Sequence, residues 1–445
     1  MRLICFFTTI IFSITTCYLY GQQNPDVEVW RKDYEKRMDE AVLSKLKLKQ
    51  NHKQDHLFSN PDYVVYIPKV EPWIIGDLYN DHFQVFDKPN GILFAVWCQA
   101  TVEGALDQHI AFSRSFDKGK TWETPQILAG NRTVAEGYAN SGAIASWAFP
   151  LVSKSGRIYI LYNQFIPGRV STHRQHTGIM MGIYSDDDGV TWSNPEEVIM
   201  PSRSIYDAPN IQIPPEWVVW QKPLRLGKNG NYLVGVTRYA HPSVVKHRTV
   251  TEFIHFDNID TDPQIRDIIP RWVQTNEKAL NIGALCEEPS IVKLPDGRLF
   301  SVMRTGMGCP YWTQSRDDGE TWSNPKPLLR KDGGDTIPHP TSPCPIYDAK
   351  GNEAASGLYF MFAHNTFDHA KSSYQNRGTL FFFAGHFHKD AEQPVWFDDP
   401  IEFINRPTNN SFYSSTTVLD NKTVLWYPDQ KYYLLGKVID AFFEK

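Results

Sequence analysis

The sequence predicts an all-β fold built from six similar sheets, and three observations support this expectation. An eight-residue turn pattern, Ser-x-Asp-x-Gly-x-Thr-Trp, occurs three times. The tryptophans that close it, Trp122, Trp192 and Trp322, are 70 and 130 residues apart. From about Tyr63 onward, short apolar runs alternate with Gly, Pro, Asn and Asp turns, which is typical of antiparallel strands. A β unit repeated along the chain accounts for all three.

The clearest copy of this unit is residues 288–322. Two apolar runs flank the turn-forming triplet Pro-Asp-Gly at 295–297 and predict a two-stranded hairpin. Glu288 begins the first strand and Arg304 ends the second, so a tight hairpin brings an acid and a base together at one rim. A third strand, Tyr311–Ser315, then runs into the turn pattern. The unit is therefore an antiparallel meander.

The repeated pattern is expected to be structural. Its aspartate carboxylate caps the turn, its glycine supplies a positive φ angle, and its tryptophan packs beneath. The aspartates are Asp117, Asp187 and Asp317, and the glycines are Gly119, Gly189 and Gly319.

The spacing of the tryptophans gives the number of sheets. A gap of 130 residues is two units of about 65, so one copy with a decayed pattern is hidden in it, and Thr251–Asp262 is its expected remnant. Trp396 follows Trp322 by 74 residues and stands in an equivalent place. These five positions and a closing sheet built partly from Leu425–Ile439 make six.

The turn pattern resembles the Asp-box of the sialidase-like (BNR-repeat) superfamily, and this chain resembles its exported, bacterial-type carbohydrate-active members. The resemblance covers roughly residues 75–440 and implies a six-bladed β-propeller, which we assign to residues 63–445. Sites in propellers most often lie at one mouth of the central channel. We therefore expect the three boxes on the face opposite Glu288 and Arg304.

The first 62 residues precede the propeller. Residues 1–21 carry Met-Arg and then an apolar run, which resembles a secretory signal peptide. Residues 22–62 are charged and helix-prone and predict a helical extension. No later run reaches the roughly 18 apolar residues that span a bilayer. The expected protein is exported, periplasmic or secreted; a lipoprotein anchored through Cys17 is the alternative.

Composition limits the partners and cofactors. With 45 basic and 50 acidic residues the net charge is -5, so no basic footprint for nucleic acid is present. Four cysteines remain after processing and allow either two disulfides, in three connectivities, or buried free thiols. They are Cys98, Cys286, Cys309 and Cys344. The sequence has no CxxC or HExxH motif, so we expect neither a metal nor another cofactor.

The resemblance assigns five positions to a substrate site. Tyr413 resembles the family's nucleophilic tyrosine, and Glu288 resembles the glutamate that polarises it. Arg304 and Arg377 resemble the second and third of three arginines that hold a substrate carboxylate. His82 stands where the first arginine is expected. Structural interpretations stay open, namely an ion pair across the hairpin for Glu288 and Arg304 and a solvated rim charge for Arg377.

The chemistry of an anionic sugar explains this choice of residues. Such a sugar repels a carboxylate nucleophile, and sialidases use tyrosine instead. A free phenol has a pKa near 10, so Glu288 is needed as its base. Guanidinium groups bind a carboxylate through paired hydrogen bonds. The family's acid/base aspartate has no clear match here, and Glu103 and Asp107 are the candidates for that role.

Histidines on expected rim loops suggest a different reaction. His173, His176 and His241, with Tyr239, offer the base and acid that proton abstraction beside a carboxylate requires. The main hypothesis is an exo-glycosidase for anionic oligosaccharides in glycan degradation. The alternatives are a lyase or dehydratase for uronate-containing or sulfated (ulvan-type) oligosaccharides, and a non-catalytic glycan-binding propeller.

Overall fold

The structure is a computed structural model that describes residues 25–37, 61–68, 77–130, 144–165, 179–201, 206–210, 213–227, 230–240, 249–273, 282–351, 353–405, 410 and 413–444. Several predictions lie outside these ranges. They are the signal peptide 1–21 with Cys17 and the rim histidines His173, His176 and His241.

The chain begins with helix α1 (Pro25–Arg37), and strand β1 (Tyr63–Tyr66) follows. Trp30 of the helix is fully buried, and its ring meets the ring of Tyr433 edge-on at 6.4 Å. The Tyr433 hydroxyl also donates to Asp33 Oδ2 at 2.7 Å. The predicted helical extension is confirmed for α1, which packs against the C-terminal part of the propeller.

Six antiparallel sheets, each one blade, form the rest of the described chain. The first blade contains β2 (Tyr79–Asp87), β3 (Leu93–Ala100), β4 (His109–Ser115) and β5 (Gln126–Gly130). The second contains β6 (Ala145–Val152), β7 (Ile158–Gln164), β8 (Ile179–Ser185) and β9 (Glu196–Val198). The third contains β10 (Glu216–Val218), β11 (Leu224–Leu226), β12 (Asn231–Tyr239), β13 (Thr249–Phe256) and β14 (Pro270–Trp272).

The other three blades follow in chain order. The fourth contains β15 (Cys286–Lys293), β16 (Leu299–Thr305), β17 (Tyr311–Ser315) and β18 (Lys326–Pro327). The fifth contains β19 (Ile346–Asp348), β20 (Leu358–Ala363), a short helix α2 (Ser373–Asn376), β21 (Leu380–Phe387), β22 (Val395–Phe397) and β23 (Ile401–Ile404). The sixth contains β24 (Ser415–Leu419), β25 (Lys422–Asp429) and β26 (Tyr433–Val438).

The ring closes by pairing the two ends of the propeller. Strand β1 runs antiparallel to β26, and the last blade has the order β1-β26-β25-β24. A ring closed in this way leaves only short blade edges open to other chains. The six-bladed prediction is confirmed, and the predicted closing segment Leu425–Ile439 supplies most of β25 and all of β26.

The Asp-boxes are turns held by internal hydrogen bonds at one face of the ring. In the fourth blade, Asp317 accepts hydrogen bonds from Thr321 N at 2.9 Å, Thr321 Oγ1 at 2.6 Å and Ser315 Oγ at 2.8 Å. Gly319 has a φ of 88° and accepts the indole N–H of Trp322 at 3.0 Å. The predicted roles of aspartate, glycine and tryptophan are therefore confirmed in this box.

Strand register fixes the face on which the boxes lie. Ser315, the first residue of the box, pairs with Leu299, and Leu299 pairs with Lys293. Arg304 pairs with Glu287 at the other end of the same strands. The box and the predicted site thus lie on opposite faces of the ring, as expected.

The predicted remnant of the decayed copy lies in the third blade, and Trp396 lies in the fifth. Thr251–Asp262 covers most of β13 and a short 3₁₀ turn, Ile259–Thr261, and Asp262 adopts a positive φ of 52°. This is the same connection, from the third to the fourth strand, that carries a box in other blades. Trp396 lies within β22, the fourth strand of the fifth blade, whereas the box tryptophans lie in the connection before that strand, so its position is not equivalent to theirs.

Aromatic side chains join the blades. Trp122 from the first box meets Trp426 of the sixth blade edge-on at 5.8 Å, and a Cβ added at Gly119 would lie 2.8 Å from the Trp426 ring. A larger residue than glycine at 119 would therefore clash as well as strain the backbone. The four described cysteines are free and buried, which matches the free-thiol alternative. Among the described helices, none has the length and apolar character that a membrane crossing needs.

Replacing Asp317 by alanine should destabilise the propeller without touching the predicted site. Loss of three short hydrogen bonds that hold the turn should cost about 1–3 kcal/mol in the free energy of unfolding. Urea denaturation measures this, and Arg316→Ala is the matched control, because Arg316 is exposed like Asp317 but does not accept the hydrogen bonds of the turn. Equal urea midpoints of unfolding for Asp317→Ala and Arg316→Ala would contradict the role of Asp317 in holding the turn.

Candidate active site

Three inner strands carry a break in pairing register at the face away from the boxes. The breaks lie at Asp81–Gln84 in β2, Ser146–Phe149 in β6 and Glu287–Ser290 in β15. Each contains a residue with positive φ, and these are His82 (53°), Trp147 (51°) and Glu288 (55°). Positive φ is uncommon for such residues, and a bulge re-aims a side chain. The three bulges turn these side chains toward the centre of the ring.

Tyr413, Glu288 and Arg304 meet at this centre. The Tyr413 hydroxyl donates to Glu288 Oε1 at 2.7 Å, and Arg304 Nη1 donates to the same oxygen. Arg304 Nη1 also lies 3.5 Å from the Tyr413 hydroxyl oxygen. The structure therefore brings together three predicted residues, and Tyr413 is only 6% exposed.

The phenol is protonated in this arrangement. Burial raises the pKa of Tyr413 well above its usual value, the Glu288 charge raises it further, and Arg304 opposes both. Glu288 is held in place because its backbone N–H donates to Thr237 Oγ1 at 2.8 Å. A carboxylate fixed at hydrogen-bonding distance from a phenol can take its proton when the oxygen attacks.

A second carboxyl group, which the sequence reasoning missed, shares Arg304. Glu287 Oε1 lies 3.2 Å from Arg304 Nε, and Glu287 is only 5% exposed. Burial raises the pKa of Glu287, the charge of Arg304 opposes this, and the charge of Glu288 adds to it. The Glu-Glu doublet before Pro289 was the available signal, because a bulge there lets both side chains reach one guanidinium.

Aromatic rings surround Tyr413. Its ring centroid lies 4.5 Å from that of His82 and 4.6 Å from that of Trp220. Trp147 Nε1 donates to His82 Nε2 at 2.9 Å, and Trp220 Nε1 donates to Thr237 Oγ1 at 2.8 Å. His82, the predicted substitute for the family's first arginine, is thus part of the site, whereas Trp147 and Trp220 were not predicted.

Asp81 and Lys431 form a second ion pair beside Tyr413. Lys431 Nζ lies 3.0 Å from Asp81 Oδ2 and 3.0 Å from Glu103 Oε2, and 5.9 Å from the centroid of the Tyr413 ring. Asp81 is fully buried, and burial raises its pKa to about 6 despite the nearby ammonium. Glu103, one of the two residues predicted as candidates for the acid, therefore contacts Lys431, which lies between it and Asp81.

The remaining predicted residues that the structure describes are Asp107, Arg377 and Tyr239. The Asp107 carboxylate accepts from Thr101 Oγ1 at 2.6 Å and so closes its own loop. Arg377 follows helix α2, is half-buried, and donates Nη2 to the Thr341 carbonyl at 2.6 Å; its charge lowers the pKa of Glu287. Tyr239 ends β12 and is half-buried against the apolar cluster that contains Tyr413.

The raised pKa of Asp81 makes a prediction about stability and pH. The folded protein holds this proton up to about pH 6, whereas the ordinary value is 3.8. The folded state therefore binds more protons in this window, and Asp81's contribution to stability falls as the pH rises through it. Relative to Asp81→Asn, the wild-type protein should lose roughly 3 kcal/mol of unfolding free energy between about pH 4 and 7.

Urea denaturation at half-unit pH steps measures this difference. Asp420→Asn is the control, because that carboxylate is exposed and pairs with Lys118 at the surface. The same pH slope in wild type and Asp81→Asn would show that Asp81 is ionised throughout.

Comparison with known proteins supports the architecture. Residues 91–422, three quarters of the chain, match the family described as BNR repeat-like domain. The chain belongs to the BNR repeat-like domain family. Among characterised members of related sequence, the anhydrosialidase of Macrobdella decora is 30% identical over 149 residues, which are 33% of this chain and 16% of that protein. The match therefore spans only a small part of the leech protein.

Solved structures resemble this BNR-repeat protein over most of its length. A Hadza microbial sialidase has a TM-score of 0.57 at 17% identity, covering 82% of this chain and 66% of that one. The intramolecular trans-sialidase of Ruminococcus gnavus has a TM-score of 0.56 at 14% identity, covering 81% and 94%. Trypanosoma rangeli sialidase has a TM-score of 0.54 at 15% identity, covering 83% and 55%. At these identities the likeness shows the shared fold.

Proposed function

We propose that the protein is an exported exo-glycosidase that removes a terminal sugar from anionic oligosaccharides through a tyrosine nucleophile. The observation that carries this proposal is the 2.7 Å hydrogen bond from the Tyr413 hydroxyl to Glu288 Oε1, with Arg304 on the same oxygen. The relatives named sialidases and trans-sialidases support a glycosidase reaction for this architecture. The apolar N-terminal run supports export.

The proposed reaction has two steps. The Tyr413 oxygen attacks the anomeric carbon, its proton passes to Glu288, and the bond to the leaving oxygen breaks while that oxygen receives a proton from an acid. Water then attacks the anomeric carbon and gives a proton to the deprotonated acid, the bond from that carbon to the Tyr413 oxygen breaks, and this oxygen regains its proton from Glu288. Asp81 is our choice for the acid, because its pKa of about 6 leaves it partly protonated near neutral pH.

Arg304 and Arg377 supply the positive charge for the substrate's anionic group. Arg304 lies beside the phenol and stabilises negative charge that develops on its oxygen. Arg377 lies within electrostatic range of Glu287 on the fifth-blade side of the centre. We place the anionic group of the substrate toward Arg377.

Mass spectrometry of products from a panel of anionic oligosaccharides in H₂¹⁸O tests the proposal. Hydrolysis adds one water with ¹⁸O at the released reducing end. A product that gains no water and absorbs in the ultraviolet would instead show elimination, the lyase or dehydratase reaction. Binding without any product would identify a glycan-binding propeller.

A further inference from the structure

His82 has one ring nitrogen engaged and one without a partner. Trp147 Nε1 lies 2.9 Å from His82 Nε2, and because an indole N–H only donates, Nε2 is the acceptor. Burial lowers the pKa of His82 well below its usual value, and the charge of Lys431 lowers it further. The ring is therefore neutral, and its one hydrogen lies on Nδ1.

This Nδ1–H has no hydrogen-bond acceptor among the described residues, although His82 is only 2% exposed. A buried donor without an acceptor destabilises the folded protein. The ring also stacks on Tyr413, with centroids 4.5 Å apart and an interplanar angle of 18°. An unsatisfied donor beside the proposed nucleophile is where an oxygen of a bound ligand would be held.

The charges around His82 disfavour a negatively charged oxygen there. Lys431 lies between the carboxylates of Asp81 and Glu103, at 3.0 Å from each. Arg304 likewise lies between Glu287 and Glu288. Each of these two cations thus already faces two acids. A substrate carboxylate at His82 would therefore meet a neutral N–H in place of a guanidinium, while Arg377 lies on the fifth-blade side of the centre.

We infer that His82 Nδ1–H binds an uncharged oxygen of the terminal sugar next to the carbon that Tyr413 attacks. The anionic group then cannot sit on the anomeric carbon, where a sialic acid carries its carboxylate. It lies across the ring, as in a uronic acid or a sulfated aldose. The substrate class is therefore a uronide or sulfated aldoside, and this inference rests on the proposed function.

Histidine NMR tests the donor without any need for turnover. In ¹⁵N-histidine-labelled protein, the His82 signals, assigned by their loss in His82→Asn, should show the neutral Nδ1–H tautomer from about pH 5 to 8. Addition of methyl uronosides should shift the Nδ1 proton, and methyl α-sialoside should not. A cationic ring, an Nε2–H tautomer, or a shift with the sialoside alone would overturn the inference.

Two substitutions separate the ring's two nitrogens. The side-chain amide N–H of His82→Asn lies near the position of Nδ1, whereas the amide oxygen of His82→Gln reaches that of Nε2 and accepts from Trp147. With 4-methylumbelliferyl uronides, kcat/KM should fall about tenfold further in His82→Gln than in His82→Asn. A smaller loss in His82→Gln would contradict the donor role of Nδ1.

The two hypotheses fail in different ways. Faster hydrolysis of the 4-methylumbelliferyl sialoside than of every uronide and sulfated aldoside would keep the glycosidase and overturn the inference. Absence of hydrolysis with all these probes would overturn the proposed function, while the NMR titration with methyl glycosides would still decide what His82 binds.

Discussion

Tyr413→Phe is expected to lower kcat for hydrolysis by at least about 10³-fold while the protein stays folded. Phenylalanine keeps the ring that packs on His82 and Trp220, at 4.5 Å and 4.6 Å between centroids. It removes only the hydroxyl that donates to Glu288. Since Arg304 still pairs with Glu288, that carboxylate is not left without a partner. Steady-state kinetics with the best substrate of the panel, and the thermal midpoint, measure both effects.

Covalent labelling separates nucleophilic catalysis from proton transfer by the same residue. A fluorinated analogue of the preferred sugar with a good leaving group should label Tyr413 in the wild-type enzyme, and peptide mass spectrometry identifies the modified residue. If Tyr413 instead moves a proton in an elimination, no adduct forms and the product is unsaturated. Tyr184→Phe is the control, and Tyr413 should still be labelled in it. The Tyr184 hydroxyl donates to the exposed Gln264 in the connection between β13 and β14, on the face that carries the boxes and away from the proposed site.

Near wild-type hydrolysis by Tyr413→Phe would rule out both roles for this residue. His173, His176 and His241 would then be the groups to substitute next. Each is a predicted rim residue with the proton chemistry that an alternative mechanism needs.

Local patterns in the sequence predicted the parts of the fold that depend on neighbouring residues. The 295–297 turn and its flanking apolar runs predict the β15–β16 hairpin, and a hairpin places Arg304 opposite the start of β15. The structure pairs Arg304 with Glu287 there. The three boxes fixed the blade repeat for the same reason, because the hydrogen bonds that close each turn join the box serine, aspartate and threonine, which lie within eight residues.

Contacts between blades were beyond such local reasoning. Tyr413 is 125 residues from Glu288, and only the family resemblance placed the two together. Strand alternation predicts that Glu287 and Glu288 point to opposite sides, yet the bulge between Glu287 and Ser290 lets both reach Arg304. The Glu-Glu doublet shows two adjacent acids, but no simple sequence pattern marks the bulge at a non-glycine residue that brings them to one guanidinium. Glu287 was therefore missed.

The ion pair of Asp81 with Lys431 shows a second limit of the sequence. Asp81 lies in an otherwise buried strand, where a carboxyl group has no obvious purpose. Its partner Lys431 comes from the turn between β25 and β26, where it adopts a positive φ of 54°. The closure of the ring, which no single segment encodes, brings the sixth blade against the first and creates this pair.

Arg304→Lys is expected to lower kcat/KM by about 10- to 100-fold, because lysine keeps the charge and loses the planar fork. Arg304 contacts Glu288 through Nη1 and Glu287 through Nε at 3.2 Å, and Nη1 lies 3.5 Å from the Tyr413 hydroxyl. A single ammonium group cannot hold all three positions. One buried carboxylate therefore loses its partner, and the thermal midpoint should fall as well.

A double-mutant cycle identifies which carboxylate matters for the reaction. Because Glu287 is the more dispensable partner in the proposed mechanism, adding Glu287→Gln to Arg304→Lys should recover thermal stability but not kcat/KM. Arg316→Lys, an exposed change in the box of the same blade, should leave both unchanged. Unchanged kinetics and an unchanged thermal midpoint in Arg304→Lys would show that the guanidinium neither stabilises the Glu287–Glu288 pair nor assists Tyr413. Arg304 would then have no role in the proposed mechanism.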